Sequence, residues 1–190
     1  MIDDGRSADA SSSANVRIRT LVGAEIPYLA DIDRSANELF ARWGHPEFES
    51  ETYESVPYDI AIQAIAQGRL LACDVRVLGS DFELAGFLIM FDRPNGDTSI
   101  GQISMRVDRM GNGYGGLLLR AALDRCRRVG RRAVVLNTQS DVPWNRPWYE
   151  RFGFVVVPTE EWDDDMHETV LEQTEDGLDW STRVHMRLQL

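Results

Sequence analysis

Residues 103–153 read ISMRVDRMGNGYGGLLLRAALDRCRRVGRRAVVLNTQSDVPWNRPWYERFG, and this stretch decides the fold. It opens on an apolar strand at 103–107 and passes through a cluster of glycines, Gly111, Gly113, Gly115 and Gly116. An amphipathic helix follows, with Leu117, Leu118, Leu119, Ala122, Leu123, Cys126 and Val129, and then a second strand at 133–136. Strand, glycine loop, helix and strand make a βαβ unit. Glycines at the strand-to-helix joint allow positive φ and close approach of a ligand. The helix start adds unpaired N–H groups and the positive end of its dipole, so the joint favours a phosphate.

Two kinds of protein put glycines at such a joint. Gly111, Gly113 and Gly116 match the dinucleotide spacing G-x-G-x-x-G. That reading expects a carboxylate at the end of the following strand, about 20 residues on. Asn137-Thr138-Gln139 stands there instead, and the unit comes late in the chain.

The second kind fits better. Met110-Gly111-Asn112-Gly113-Tyr114-Gly115, followed by Asn145-Arg146-Pro147-Trp148-Tyr149 and Arg151-Phe152-Gly153-Phe154, resembles the two signatures of the GCN5-related N-acetyltransferase (GNAT) superfamily. The resemblance is strong over residues 100–158 and weaker, in element order, over 15–99. It implies an α/β (α+β) fold with a mixed, mostly antiparallel sheet of six to seven strands, splayed at its centre and flanked by helices.

The rest of the chain supplies those elements. Val16-Arg17-Ile18-Arg19 alternates as a first strand, and 24–42 is an amphipathic helix with Ile26, Leu29, Ile32, Ala36, Leu39 and Phe40 on one side. An acidic, aromatic-bearing loop at 43–57 precedes a second helix at 58–67. Strands at 70–78 and 84–92, joined through Gly79-Ser80-Asp81, lead to a third at 99–107. After the unit come a strand at 154–157, an acidic stretch at 160–178 that is part helical, and a closing strand at 183–188.

Composition bounds the function. At 190 residues and 43% hydrophobic, the chain suits one domain, expected over 15–190 behind a disordered polar tail at 1–14. The tail has the pattern of neither a signal nor a transit peptide, and no apolar run nears the roughly 20 residues that span a bilayer. Two cysteines, Cys73 and Cys126, make no disulfide framework, so a cytoplasmic location is expected. A net charge of -11 argues against nucleic acid as partner. All 20 basic residues are arginine, and eight of them crowd residues 101–132 against Asp108 and Asp124. That local excess suits a phosphorylated ligand, or else is a solvated helix face. Ten carboxylates between Glu160 and Asp179 would attract a cationic amine substrate, or else read, as charge runs usually do, as a solvated acidic surface.

The resemblance implies chemistry at particular residues. Acetyl-CoA would be the co-substrate, with no metal. Its arm would lie between the two strands of the unit, along Ile103, Met105 and Val107, with Asn137 and Asn145 as further contacts. Its pyrophosphate would sit on the amides of Gly111, Asn112, Gly113, Tyr114, Gly115 and Gly116. A backbone N–H near Met105 would polarise the thioester carbonyl. Tyr149 would lie near the sulfur and protonate the leaving thiolate. Asn145 contacts the arm or caps the helix that begins at Arg146-Pro147.

Three positions depart from the family pattern. Gln102 stands at a catalytic position where many related enzymes have a glutamate that activates the amine, Met110 replaces a Gln or Arg, and Asn112 replaces a basic residue. A base would then come from elsewhere, with His45, Glu47 and Glu49 in the acceptor-covering loop as candidates and Phe48 beside them. His167 and His185 read as structural or exposed. The expected activity is transfer of an acetyl group from acetyl-CoA to a small-molecule amine by direct attack, and the resemblance allows a homodimer. The alternative is a GNAT-like protein that binds acyl-CoA or another ligand without acetylating an amine, or that performs other thioester chemistry.

Overall fold

The computed structural model describes residues 15–49, 56–77 and 81–190. The expected tail at 1–14, the loop residues Glu51, Tyr53 and Glu54, and Gly79-Ser80 of the predicted turn lie outside the described residues. The strands are β1 (Val16–Thr20), β2 (Leu70–Arg76), β3 (Phe82–Asp92), β4 (Thr98–Met105), β5 (Ala133–Gln139), β6 (Val155–Val156) and β7 (Arg183–Gln189). They form one sheet in the order β1-β2-β3-β4-β5-β7-β6. Every neighbouring pair is antiparallel except β4 and β5, which are parallel because the helix α3 (Tyr114–Arg128) carries the chain back between them.

Helices cover both faces, so β2 reads as a continuous apolar run rather than an alternation. On one face α3 buries Leu118, Leu119, Ala122, Leu123 and Cys126 against Leu71, Cys73, Leu88, Met90, Val134 and Leu136. On the other, α1 (Leu29–Arg42) and α2 (Tyr58–Ala66) cover Leu70, Ala72, Phe87 and Ile89. The helix α5 (Asp164–Glu175) places Met166 against Val135 and Val157.

The central pair sets the shape. Among the described residues, β4 and β5 exchange register at Thr98↔Val134 and Ser99↔Val135 only, and no strand pairs with that edge of β4 beyond Ser99. A bulge lies at the same point: Met90 pairs with Ile100 and Ile89 with Gln102, which leaves Gly101 extra and bends β4. A Cβ at Gly101 would stand 2.3 Å from the ring of Phe91, which would have to swing aside to admit it.

Several boundaries differ from the sequence expectation. The helix expected from 24 is a 3-10 turn over Gly23–Tyr28 before α1 begins, consistent with Pro27 lacking an N–H. The strand expected through 107 ends at Met105, where Val107–Arg109 turns as 3-10 helix and the Val107 N–H donates to Ser35 Oγ at 3.1 Å. β3 starts two residues early, at Phe82, whose ring lies under the guanidinium groups of Arg17 and Arg76. The acidic stretch becomes α5 with Asp163 as N-cap, accepting from the Met166 N–H at 3.0 Å.

Gly86 faces β4 so closely that a Cβ would meet Met105 Sδ at 2.1 Å and the Ser104 carbonyl oxygen at 2.6 Å. Gly86→Ala is therefore expected to cost about 2 kcal/mol, read as a lower urea midpoint at unchanged slope. His185 is buried between Trp162 and Trp180, with ring centroids at 4.9 and 4.7 Å, and its Nε2–H donates to the Met166 carbonyl at 3.1 Å. Burial pushes its pKa from 6.5 down to about 4. The neutral form is the one that packs, so this contribution is complete above pH 6.5 and is lost as pH falls towards 4. Melting temperature should drop more steeply between pH 6.5 and 5 in the wild type than in His185→Gln.

Candidate active site

The glycine loop follows β4 directly. Gly111 and Gly113 have φ of +77° and +80°, the left-handed region that a side chain disfavours. Gly113 is the N-cap of α3 with no side-chain cap, so the first-turn amides beyond it have no side-chain partner. A Cβ at Gly115 would make ordinary contact with Met105 and Trp148, whereas one at Gly116 would press on Phe152 at 3.2 Å. The two departures in the loop have structural roles. Met110 packs against the α3-side core, and Asn112 Nδ2 donates to the carbonyls of Arg109 and Met110, each at 3.1 Å. The side chain of Asn112 thus engages carbonyls of the loop itself.

Along β4, Ile103 and Met105 turn towards α3 and join that core, while Gln102 and Ser104 turn towards α1. There they meet Asp33, which sequence reasoning missed. Asp33 is 2% exposed; its Oδ1 accepts from Ser104 Oγ at 2.7 Å and from Gln102 Nε2, and its Oδ2 is buried with no hydrogen-bond partner among the described residues. Burial raises its pKa, against the opposing pull of those two hydrogen bonds. The signal was present in the sequence: Asp33 lies four residues after Leu29 and three before Ala36, on the apolar side of the helix.

The segment after β5 carries α4 (Arg146–Glu150). Tyr149 is buried in the core, edge-on to Trp148 at 4.8 Å and Phe154 at 5.8 Å, and burial raises the pKa of its phenol. Asn145 is the N-cap residue of α4 by position but makes no side-chain cap; its Nδ2 donates instead to Gln139 Oε1 at 2.9 Å. The helix-capping role expected for its side chain is thereby corrected.

The loop candidates come together over this segment. His45 is buried, with Nδ1 3.0 Å from Glu47 Oε1 and Nε2 3.2 Å from Asp141 Oδ2. Phe48 packs on Phe40 at 5.1 Å, and Trp43 meets Trp144 edge-on at 5.2 Å. His45, Glu47 and Phe48 thus fasten the α1 end to the β5–α4 turn.

A cavity of about 300 Å³ lies between β4, β5 and α5. Gly101, Asn137, Asp165, Glu172 and His185 are among the residues around it. Asn137, expected along the strand cleft, is on this side, and its Oδ1 accepts from Arg183 Nη2. Val107 is exposed at the turn beyond β4.

The arginine excess near the loop is engaged partly by groups outside 101–132 and partly by the stretch's own acids. Arg131 pairs with Asp92 at 2.5 Å, Arg132 donates to the Asn95 carbonyl, and Arg109 approaches Glu83 at 3.7 Å. Arg127 pairs with Asp124, Arg106 with Asp108, and Arg120 lies over the ring of Phe152. Much of the positive charge thus serves the fold.

Among the described residues, no helix is long and apolar enough to cross a membrane. The chain is similar in fold to an N-acetyltransferase, PaiA, of Thermoplasma acidophilum in complex with coenzyme A, at TM-score 0.68 and 15% identity, covering 92% of this chain and 99% of that one. It is also similar to the N-acetylglutamate synthase of Neisseria gonorrhoeae complexed with coenzyme A and N-acetyl-glutamate, at TM-score 0.67 and 16% identity, covering 94% of this chain and 36% of that one. A third is Naa50 of Arabidopsis thaliana with the bisubstrate analogue CoA-Ac-MVNAL, at TM-score 0.61 and 12% identity, covering 93% and 99%. The model of the acetyltransferase (GNAT) family matches residues 34–154, which contain the glycine loop, both strands of the splayed pair and α4, and the chain belongs to that family.

Proposed function

We propose that residues 15–190 act as one acyl-CoA-dependent N-acetyltransferase domain, moving an acetyl group from acetyl-CoA to the amine of a small molecule. The observation that carries this is the parting of β4 from β5 after Ser99, beside a glycine loop that runs into the uncapped start of α3. An extended, amide-bearing coenzyme arm pairs with the free β4 edge at Ile103 and Met105 as an added strand would. Its pyrophosphate takes the amides of residues 111–116, whose positive φ at Gly111 and Gly113 turns successive N–H groups inward.

In the reaction the amine lone pair attacks the thioester carbon, and a backbone N–H near Met105 stabilises the oxyanion. The C–S bond then breaks and the thiolate takes a proton from Tyr149. The Tyr149 phenol is protonated at neutral pH, the state a donor needs, and burial raises its pKa further, which makes it a weaker acid towards the thiolate. The acceptor amine meets the freed stretch of β4, and the rest of the acceptor extends into the cavity beside β4 and β5, whose size suits a small molecule and whose lining includes Asp165 and Glu172. His45, Glu47 and Phe48 close the acceptor side. A second reading, coenzyme binding without turnover, is favoured by Gln102 alone, because an amide accepts no proton at neutral pH.

Calorimetric titration with acetyl-CoA, with NADH as control, tests the coenzyme site. Saturation at 100 times Kd should add about 2.7 kcal/mol of stability. Gly113→Val, which puts a branched side chain at φ +80°, should weaken acetyl-CoA binding at least ~10-fold. Equal affinity in this variant would remove the pyrophosphate from the loop. Tyr149→Phe should lower kcat by a factor of about 10² with Kd for acetyl-CoA within about twofold. Unchanged turnover in that variant would take Tyr149 out of the mechanism, and binding without turnover of any amine would favour the second reading.

A further inference from the structure

We propose that Asp33 accepts the proton of the attacking amine, relayed through the Ser104 hydroxyl, and so fills from α1 the role that Gln102 cannot fill from β4. The inference rests on the acetyltransferase reading above.

Its ground is an unusual carboxylate. The groups facing Asp33 from β4 are Ser104 and Gln102, both neutral. On its own helix Asp31 and Arg34 pair with each other at the exposed surface, and Ser35 is engaged by the Val107 N–H. In the turn beyond β4, Arg106 pairs with Asp108. His45, at the far end of α1, has carboxylates at both nitrogens. No arginine therefore offsets the buried charge of Asp33 among these groups, and Oδ2 has no hydrogen-bond partner among the described residues. A buried, unpaired carboxylate oxygen is costly to keep, and an apolar side chain would serve packing better. Burial raises its proton affinity, against the pull of the hydrogen bonds from Ser104 and Gln102.

Position completes the argument. Gln102 and Ser104 project from the stretch of β4 that β5 has left, on the face opposite Ile103 and Met105. The Gln102 amide is fixed by donating Nε2–H to Asp33, which leaves Oε1 as its acceptor for an amine N–H. Ser104 Oγ donates to Asp33, accepts from Gln102 Nε2 at 3.3 Å, and keeps one lone pair for an amine N–H. As the neutral amine adds to the thioester, an N–H proton passes to Ser104 Oγ while the Ser104 proton passes to Asp33 Oδ1. The C–S electron pair leaves with sulfur, which is protonated by Tyr149. Asp33 then releases its proton to solvent and Tyr149 regains one from it, so the cycle yields one amide and one free thiol.

The test is acetyl-CoA turnover from pH 5 to 9 with tyramine, spermidine, L-glutamate and an alanine-terminated peptide as acceptors. Acetyl-CoA affinity is measured in parallel by calorimetry. In Asp33→Asn, kcat/KM at neutral pH should fall by a factor of 10²–10⁴, the acid limb of the wild-type profile should vanish, and Kd for acetyl-CoA should stay within about twofold. Ser104→Ala should lose activity comparably, and it carries the test if Asp33→Asn fails to fold. Adding Gln102→Glu to Asp33→Asn should restore both activity and the acid limb, which a purely structural role for Asp33 would not predict. Full activity with the acid limb intact in Asp33→Asn overturns the inference while leaving the proposed function standing. Coenzyme binding by the wild type without turnover of any acceptor also overturns it, whereas failure of the wild type to bind acetyl-CoA overturns the proposed function itself.

Discussion

A strand that gives up its hydrogen-bonded neighbour inside a sheet leaves backbone donors and acceptors that something else has to satisfy. β4 does this after Ser99, with β3 continuing to hold its other edge as far as Met105. The extra residue in the bulge at Gly101 bends β4 at the point of parting. Beyond it, α3 packs on one face of both strands, while on the other face α1 holds β4 and α5 packs on β5. The features that give the site its character, the glycine loop, Gln102, Ser104 and the α5-side cavity, lie along or just beyond this opening.

Close contact rather than bulk keeps β4 in place. Gly86 brings β3 onto Met105, Gly101 brings β4 under Phe91, and Gly116 lets the first turn of α3 sit on Phe152. The two halves of the helical layer are fastened differently. On the β1–β2 side, buried Asp74 accepts from Arg17 and Arg19, and Arg19 also pairs with Glu25. On the α5 side, buried Arg93 reaches Asp163 and Asp165, so the acidic stretch that reads as solvated surface is tied in part to the sheet edge.

Most of the fold was legible because its signals are local. Alternation in 16–19, the glycines at 111–116 and the apolar period of α3 each report on a few neighbouring residues, and each element is present. Boundaries slipped where a distant partner decides them: Ser35 ends β4, and Arg17 with Arg76 lengthens β3 by enclosing Phe82. The loop triad of His45, Glu47 and Phe48 was readable as a group, but its anchor, Asp141, lies 96 residues away by subtraction of the two positions in the sequence. Asp33 escaped because a lone acid on a helix carries no motif, and its meaning depends on Ser104 and Gln102, which only the fold brings to it. Likewise the charge near the loop could be counted in the sequence, but its consumption by Asp92, Glu83 and the Asn95 carbonyl could not.

The ion pairs that brace this molecule use guanidinium groups throughout, since the chain has no lysine. A guanidinium stays protonated at any physiological pH and offers no lone pair to an activated acyl carbon, whereas a lysine amine does whenever it loses its proton. A thioester held in the cleft would therefore meet no side-chain amine on the protein that holds it. The braces Arg131 on Asp92 and Arg93 on Asp163 are thus of a kind that an activated acyl group does not cap or neutralise.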